Sequence, residues 1–283
     1  MENQKNWDVI ISPRSSWFDF RFKELWSHRD LLLLFVKRDF VSLYKQTILG
    51  PVWFFVQPIF TTIIFTVVFA GFAGMSTDNA PHVLFYLGGL TLWNYFADCL
   101  TKTSETFIQN QAIFGKVYFP RLIVPLSVIV SNLLKLLLQF LLFFAVWIYF
   151  YVAKPSSVSP NATVFLLPVL IAVMAGLSLG FGIIFSSLTT KYRDMKFLLQ
   201  FGVQLMMYAS SVVIPLSQVP EKYQWVMKLN PVVPVIEAFK FGFLGSGQFE
   251  ATDLLYSIIF TVTIILSGTL IFNRVERSFM DTV

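Results

Sequence analysis

The sequence is poor in charged residues, which make up 13% of its 283 positions, about half the share usual in a soluble domain. It has one cysteine, Cys99, so an intramolecular disulfide is excluded, and only two histidines, His28 and His82. These residues do not fall at metal-ligand spacing, and they do not combine with a serine or an acid into a catalytic set. A metal site, a cofactor and catalysis by this chain alone are therefore not expected.

A phosphate-cradling loop is also missing from the sequence. The nearest match, Gly115-Lys116, lacks the earlier glycine and is followed by Val117 rather than by serine or threonine. An activity that consumes a nucleotide would therefore depend on a separate partner that docks from the cytoplasm.

Apolar residues, in contrast, make up 56% of the chain, and the mean hydropathy is +0.68. The 36 residues between Lys154 and Lys191 carry no charge, whereas a helix needs roughly 20 residues to cross a bilayer. The sequence predicts an all-α integral membrane protein in a single domain, with a cytoplasmic segment 1–49, a membrane region 50–273 and a tail 274–283. The six predicted spans are 50–73, 83–104, 122–151, 162–188, 197–216 and 253–273.

The distribution of positive charge predicts the orientation of these spans. The first 30 residues are rich in charge, unlike a cleavable signal peptide, so the N-terminus is expected to stay in the cytoplasm. The cytoplasmic parts then hold 16 of the 21 Lys and Arg residues and the external loops four, as the positive-inside rule requires. Both termini are expected to be cytoplasmic, and the net charge of +5 reflects topology rather than nucleic-acid binding.

The segment before the first span has an amphipathic helical pattern. Its apolar face and its polar face are formed by two sets of residues: Leu32, Val36, Phe40 and Leu43, and Arg38, Ser42 and Lys45. Such a helix suits the inner membrane surface, although any cytoplasmic flank of a span can look basic and amphipathic. The pair Gly50-Pro51 predicts a turn into a new helix.

Three stretches of the chain carry a family resemblance: RDLLLLFVKRDFVSLYKQTILGPVWFFVQPIF (29–60), KVYFPRLIVPL (116–126) and KYRDMKFLLQFGVQLMMYASSVVIPLSQVPEKYQWVMKLNPVVPVIEAFKFGFLG (191–245). In this order and spacing they resemble the permease subunits of polysaccharide-exporting ABC transporters, which export O-antigen, capsule or teichoic acid. The resemblance implies a homodimer bound to two copies of an ABC ATPase, exporting an undecaprenyl-linked polysaccharide across the bacterial plasma (inner) membrane. It also implies an N-terminal interface helix, a cytoplasmic coupling helix and short external re-entrant or gate helices within 217–252.

By this resemblance the segment 104–121 and the loop 189–194 contact the ATPase. The candidate coupling residues are Gln109, Asn110, Phe114, Lys116, Arg193 and Asp194, and those of the interface helix are Arg38, Asp39, Tyr44 and Lys45. Phe107, Ile113 and Phe114 are expected to be exposed and to insert into a cleft of the partner. Alternatively, the aromatic residues only enter the headgroup layer, and Arg193 and Asp194 form a local helix cap.

Candidates for the glycan path are the intramembrane charges and aromatic rings: Trp93, Tyr95, Lys135, Trp147 and Tyr149. Lys135 would meet a phosphate of the lipid carrier in a wet cavity, or would extend toward the cytoplasmic side. The aromatic rings would stack on sugars or form a belt at the membrane interface.

Two charge pairs and one packing motif are also predicted. The i, i+4 spacing of Asp98 and Lys102 predicts a pair that is either structural or substrate-binding, and Glu237 and Lys240, at i and i+3, are expected to pair locally. The small residues Ala172, Gly176 and Gly180 predict close helix packing, either within the chain or across a dimer.

Other functions remain compatible with the sequence. They are a drug or small-lipid exporter of the same superfamily, an intramembrane glycan-modifying enzyme, and a scaffold for a glycan synthase.

Overall fold

The computed structural model describes residues 22–45, 48–117 and 119–279, without the side chains of residues 22, 23, 43, 44 and 276–279. In these ranges the chain forms helices joined by turns, and it forms no strand, so the all-α prediction is confirmed. The α-helices are α1 (Phe22–Ser27), α2 (Arg29–Tyr44), α3 (Trp53–Phe65), α4 (His82–Ser104), α5 (Thr106–Gln109), α6 (Gln111–Phe114), α7 (Ile123–Ala153), α8 (Leu167–Lys191), α9 (Met195–Tyr208), α10 (Glu221–Lys228), α11 (Val233–Leu244) and α12 (Ala251–Phe279).

The turn into the first apolar helix lies where Gly50-Pro51 predicts it. Gly50 has φ +52°, which glycine adopts without steric cost, and a 3-10 turn over Gly50–Val52 leads directly into α3. Pro58 lies inside α3, which continues as a π-helix over Thr66–Phe72. Because α2 ends at Tyr44 and α3 begins at Trp53, the connection between the two helices is short.

Four helical segments in the described part of the chain are long and apolar enough to cross a membrane: Gly50–Phe72, Ile123–Ala153, Ala162–Lys191 and Ala251–Val275. They correspond to the first, third, fourth and sixth predicted spans. Helix α4 has 23 residues, which is long enough, but it is the helix that the others surround, and 16 of its residues are buried. Because most of its surface contacts protein, α4 has less need of a lipid-facing apolar surface.

The fifth predicted span, 197–216, is wrong as a continuous helix. Helix α9 has 14 residues, about 21 Å, and ends at Tyr208. Turns follow, and Ser210, Ser211 and Val212 within them are fully buried. Irregular backbone at such a depth requires protein partners for its polar groups.

The bundle has two ends that differ in composition. At one, here called the α2 end, α2, α5 and α6 pack near the last turn of α4, the first turns of α7 and the last part of α12. At the other, the α11 end, α11 packs against the first half of α4 and the 3-10 turn over Ala162–Leu166 that precedes α8. The main apolar core lies between them, around α4.

Glycine spacing on α8 serves packing within the chain. A Cβ at Gly176 would lie 2.5 Å from Thr261 Cγ2, and one at Gly180 would lie 2.6 Å from Ile264 Cγ2. Both neighbours are on α12, whereas Ala172 is exposed. The close approach of α8 and α12 therefore requires the absence of side chains at the two glycines.

Replacing Gly180 by alanine is expected to lower the free energy of unfolding by about 1–3 kcal/mol, because the added Cβ would also lie 3.0 Å from the backbone carbon of Ile264. Gly202 on α9 is the matched control, since a Cβ there meets nothing within 4 Å. Gly202→Ala is expected to be neutral or to gain up to about 1 kcal/mol from helix propensity. Detergent-unfolding midpoints of the two variants measure the difference, and equal midpoints would contradict the packing argument.

Candidate coupling site and transport path

Helix α2 has the two faces that its sequence pattern predicts. Val36 is buried and Phe40 is half-buried, while Arg38, Ser42 and Lys45 are exposed. Arg38 donates from Nε to Asp39 Oδ1 over 2.8 Å, so these two candidates form a local ion pair. The side chain of Tyr44, the remaining interface-helix candidate, lies outside the described residues.

Within the 104–121 segment the chain forms two four-residue helices, α5 and α6, separated by Asn110. The expected exposure of its aromatic residues is wrong: Phe107 is 1% exposed and Phe114 is 3% exposed. Ile113 is half-buried, and the large apolar residues of this segment that face outward are Ile108, at 46%, and Val117, at 57%. The aromatic side chains find apolar partners inside the bundle, which periodicity in so short a segment does not reveal.

These partners form a continuous series of phenylalanine rings. Its members, with successive centroid distances of 5.8, 5.7, 5.9 and 4.7 Å, are Phe35, Phe119, Phe114, Phe107 and Phe272. This Phe series runs from α2 through α6 and α5 to α12, and all five side chains are buried. The guanidinium of Arg121 lies 5.5 Å from the Phe114 ring. Because protein interiors are close-packed, the Phe series places α5 and α6 in continuous apolar contact with α2 and α12.

The two segments predicted to contact a partner are also joined to each other. Glu105 accepts from Lys196 Nζ at 2.7 Å and from the side chain of Gln109. Thr189 donates from Oγ1 to the carbonyl of Ser104 over 2.8 Å. The start of the 104–121 segment and the α8–α9 connection therefore form one structural unit, which sequence spacing alone does not indicate.

The candidate coupling residues differ in accessibility. Gln109, Lys116, Arg193 and Asp194 are exposed, whereas Asn110 is buried and donates to the carbonyl of Thr106 over 3.0 Å. Asp194 precedes α9, but its side chain makes no capping hydrogen bond, so the local-cap alternative is wrong. The surface of this unit thus combines polar groups with the apolar side chain of Ile108.

The charges predicted to lie in the membrane, on α4 and α7, pair between helices rather than along one. Lys135 on α7 lies 2.6 Å from Asp98 Oδ2 on α4, and Lys102 on α4 donates to Asn132 Oδ1 on α7 over 2.9 Å. The expected i, i+4 pair of Asp98 with Lys102 is therefore wrong. Because Asp98 neutralises Lys135, that lysine joins α4 to α7 in this structure instead of presenting an unpaired cation.

The aromatic candidates fall into two groups. Trp93 and Tyr95 are each 3% exposed and belong to the core around α4, so neither faces open space in this chain. Near the end of α7, Trp147 stacks on Tyr151 with ring centroids 5.2 Å apart, and Tyr149 is 65% exposed. Trp147 also donates from Nε1 to the carbonyl of Phe243 over 2.8 Å, which links α7 to α11.

Two buried charges lie at the α11 end. Lys240 is fully buried, with Nζ 3.1 Å from the centroid of the Phe85 ring, and it donates to the carbonyl of Ser211. Glu237 is 1% exposed and accepts from the backbone N–H of Gln248 over 2.9 Å. Burial lowers the pKa of Lys240 and raises the pKa of Glu237, and the attraction between the two groups opposes both shifts.

Glu237 and Lys240 were expected to pair directly, but among the described residues they form no ion pair with each other. Each group has its own hydrogen-bond partner in the chain instead. Lys240 satisfies a carbonyl just beyond the point where α9 ends. The turns that hold this carbonyl are buried, so a polar backbone group without a partner would be costly there, and Lys240 supplies the donor. In the sequence, the sign of this buried lysine is its position within the apolar stretch VPVIEAFKFGFLG.

Comparison with known proteins identifies similar chains along nearly the whole sequence. The model of the family described as ABC-2 type transporter matches residues 30–244. An O-antigen export system permease protein, RfbA, of Klebsiella pneumoniae is 28% identical over 253 residues, covering 89% of this chain and 94% of the relative. RfbA of Myxococcus xanthus is 22% identical, and the match covers 92% of this chain and 98% of the relative. The polysialic acid transport protein KpsM of Escherichia coli is 23% identical, over 87% of this chain and 93% of its own.

Proposed function

The chain belongs to the ABC-2 type transporter membrane family, and from this premise we propose that it is the membrane subunit of an ATP-driven polysaccharide exporter. The observation that carries the proposal is the similarity to O-antigen and polysialic acid transport proteins, which extends over nearly the whole length of both chains. The substrate is a polysaccharide linked to a polyprenyl carrier, and it moves outward across the bacterial plasma membrane.

The proposed assembly is a homodimer with two ATPase subunits docked at the α2 end. In this arrangement the four apolar helices cross the membrane together with α4 and α9, which makes six crossings. The buried turns after α9 complete its crossing, and both termini are cytoplasmic. Three features support the orientation: the positive-inside distribution, the in-plane character of α2, and exposed polar groups on the 104–121 segment.

The mechanism follows from the packing at the α2 end. An ATPase that moves the 104–121 segment also moves the α8–α9 connection, because Glu105 and Lys196 join the two. The Phe series carries the same displacement to α2 and α12, and the short Gly50-Pro51 connection passes it from α2 to α3. Stiff contacts of this kind convert a motion outside the membrane into a relative motion of the spans.

Docking is tested by placing a charge on the exposed apolar residue of α5. Ile108→Asp is expected to weaken the complex with the ATPase about tenfold or more, because the carboxylate would lose water on entering an apolar cleft. Co-purification and stimulation of the ATPase rate measure this effect. Phe114→Asp is unsuitable, since Phe114 is buried and the change would disrupt folding as well as docking.

The matched control is Val226→Asp on α10, where the aliphatic side chain is 49% exposed at the opposite end of the bundle. It is expected to leave both readouts unchanged. An unimpaired complex with Ile108→Asp, or an equal loss with both variants, would refute docking through α5.

A further inference from the structure

A cavity of about 430 Å³ lies at the α2 end, between α2, the last turn of α4, the α5–α6 segment and the first half of α7. Its volume falls within the roughly 300–1,000 Å³ of small-molecule sites. Its lining includes two cations, one carboxylate and several amides, contributed by Arg38, Asp39, Lys102, Gln109, Asn110 and Asn132. The polar groups therefore come from separate elements and converge on one space.

The charges in the cavity do not cancel. Arg38 and Lys102 contribute two positive charges and Asp39 one negative charge, so the lining carries a net charge of about +1. Asp39 is already paired with Arg38. Lys102 forms no ion pair among the described residues, because Asp98 is taken by Lys135, and its hydrogen-bond partner is the neutral amide of Asn132.

The remaining donors favour an oxyanion as the occupant. The ammonium of Lys102 has three N–H groups, of which the bond to Asn132 uses one, and the guanidinium of Arg38 has donors in a planar fork. Phosphate groups accept several charge-assisted hydrogen bonds at once, which suits a lysine and an arginine on facing elements. The hydroxyls of Ser42 and Ser131 donate to backbone carbonyls, so they can accept only from a water or a protonated ligand.

One wall of the cavity is apolar and consists of Ile113, Val124 and Val128. Helix α2, which forms the opposite wall, is amphipathic and suits the membrane surface. We propose that this cavity binds the phosphate or diphosphate group of a lipid, with Lys102 and Arg38 as its cations. The geometry of the cavity alone supports an anion site. That the bound phosphate belongs to the lipid carrier of the glycan rests on the proposed function.

The test uses the full chain with its ATPase partner in nanodiscs of phosphatidylcholine. Native mass spectrometry measures binding of a polyprenyl diphosphate to the wild type and to Lys102→Gln and Arg38→Gln. Each substitution is expected to weaken binding about tenfold or more, because a charge-assisted bond is lost. Lys37→Gln is the matched control, since it removes the same charge from an exposed position of α2 outside the cavity and is expected to bind like the wild type.

Lys102→Arg separates a loss of charge from a loss of fold. It is expected to retain most of the affinity, and the thermal midpoints of all variants are measured alongside. Equal affinity of the wild type and the two glutamine variants, or an equal loss with Lys37→Gln, would overturn the site.

Two further ligands identify the source of the phosphate. If inorganic diphosphate binds as tightly as the polyprenyl diphosphate and shows the same dependence on Lys102, the anion site stands and the lipid source is refuted. Equal affinity for phosphatidylglycerol refutes the carrier and leaves a bilayer lipid as the occupant. If the wild type fails to export glycan with ATP, the proposed function is refuted. The binding titration still shows whether the cavity binds a lipid phosphate.

Discussion

Replacing Lys240 by methionine is expected to lower the free energy of unfolding by about 3 kcal/mol or more. The substitution removes the donor for the carbonyl of Ser211 and the cation next to the buried carboxylate of Glu237. Methionine is close to lysine in length, so the loss of packing is small and the loss of charge dominates. Denaturant unfolding followed by tryptophan fluorescence in detergent measures the change.

A double substitution isolates the part of this loss that comes from charge. Glu237→Gln with Lys240→Met removes both charges and keeps an acceptor for the N–H of Gln248, so it is expected to regain about half of the lost stability. The exposed Lys154, at the same end of the bundle, is the control, and Lys154→Met is expected to change stability by about 0.5 kcal/mol or less. A double variant that is less stable than Lys240→Met would refute the electrostatic account.

Replacing Phe107 by alanine is expected to cost about 3–5 kcal/mol and to uncouple ATP hydrolysis from export. Phe107 is 1% exposed and contacts the rings of Phe114 and Phe272, so the substitution leaves a cavity in the middle of the Phe series. The α2 side of the series can then shift without moving α12. The measurement is the amount of glycan exported per ATP hydrolysed in proteoliposomes.

Two variants control this experiment. Phe107→Leu fills most of the volume and is expected to keep export coupled, whereas Phe165→Ala removes a ring that is 86% exposed and is expected to change neither stability nor coupling. Wild-type export per ATP in a folded Phe107→Ala protein would show that the Phe series does not transmit the motion.

The sequence predicted features that depend on neighbours along the chain. The two faces of α2 and the turn at Gly50-Pro51 follow from helical periodicity and from the backbone restrictions of glycine and proline, and both are confirmed. Long apolar runs, one of them interrupted by Lys135, likewise predicted the four apolar spans, because the thickness of the bilayer fixes their length.

Features that depend on contacts between distant segments were not predicted. Local spacing paired Asp98 with Lys102, but the lysine that reaches Asp98 is 37 residues away, on α7. The aromatic residues of the 104–121 segment were expected outside because the segment is polar overall, yet Phe272, on the last helix, covers one of them. No proline or glycine marks the end of α9, and the side chains that donate to the carbonyls of Ala209 and Ser211 just after it, Asn230 and Lys240, lie in distant segments.

The hydrogen bond from Lys240 to Ser211 also sets an order of events during synthesis. The two residues are 29 positions apart, and the carbonyl emerges from the ribosome before its donor exists. The carbonyl of Ser211 therefore gains this donor only when α11 has been made and has joined the bundle. Nascent chains that stop between these positions are expected to leave that carbonyl without its side-chain donor.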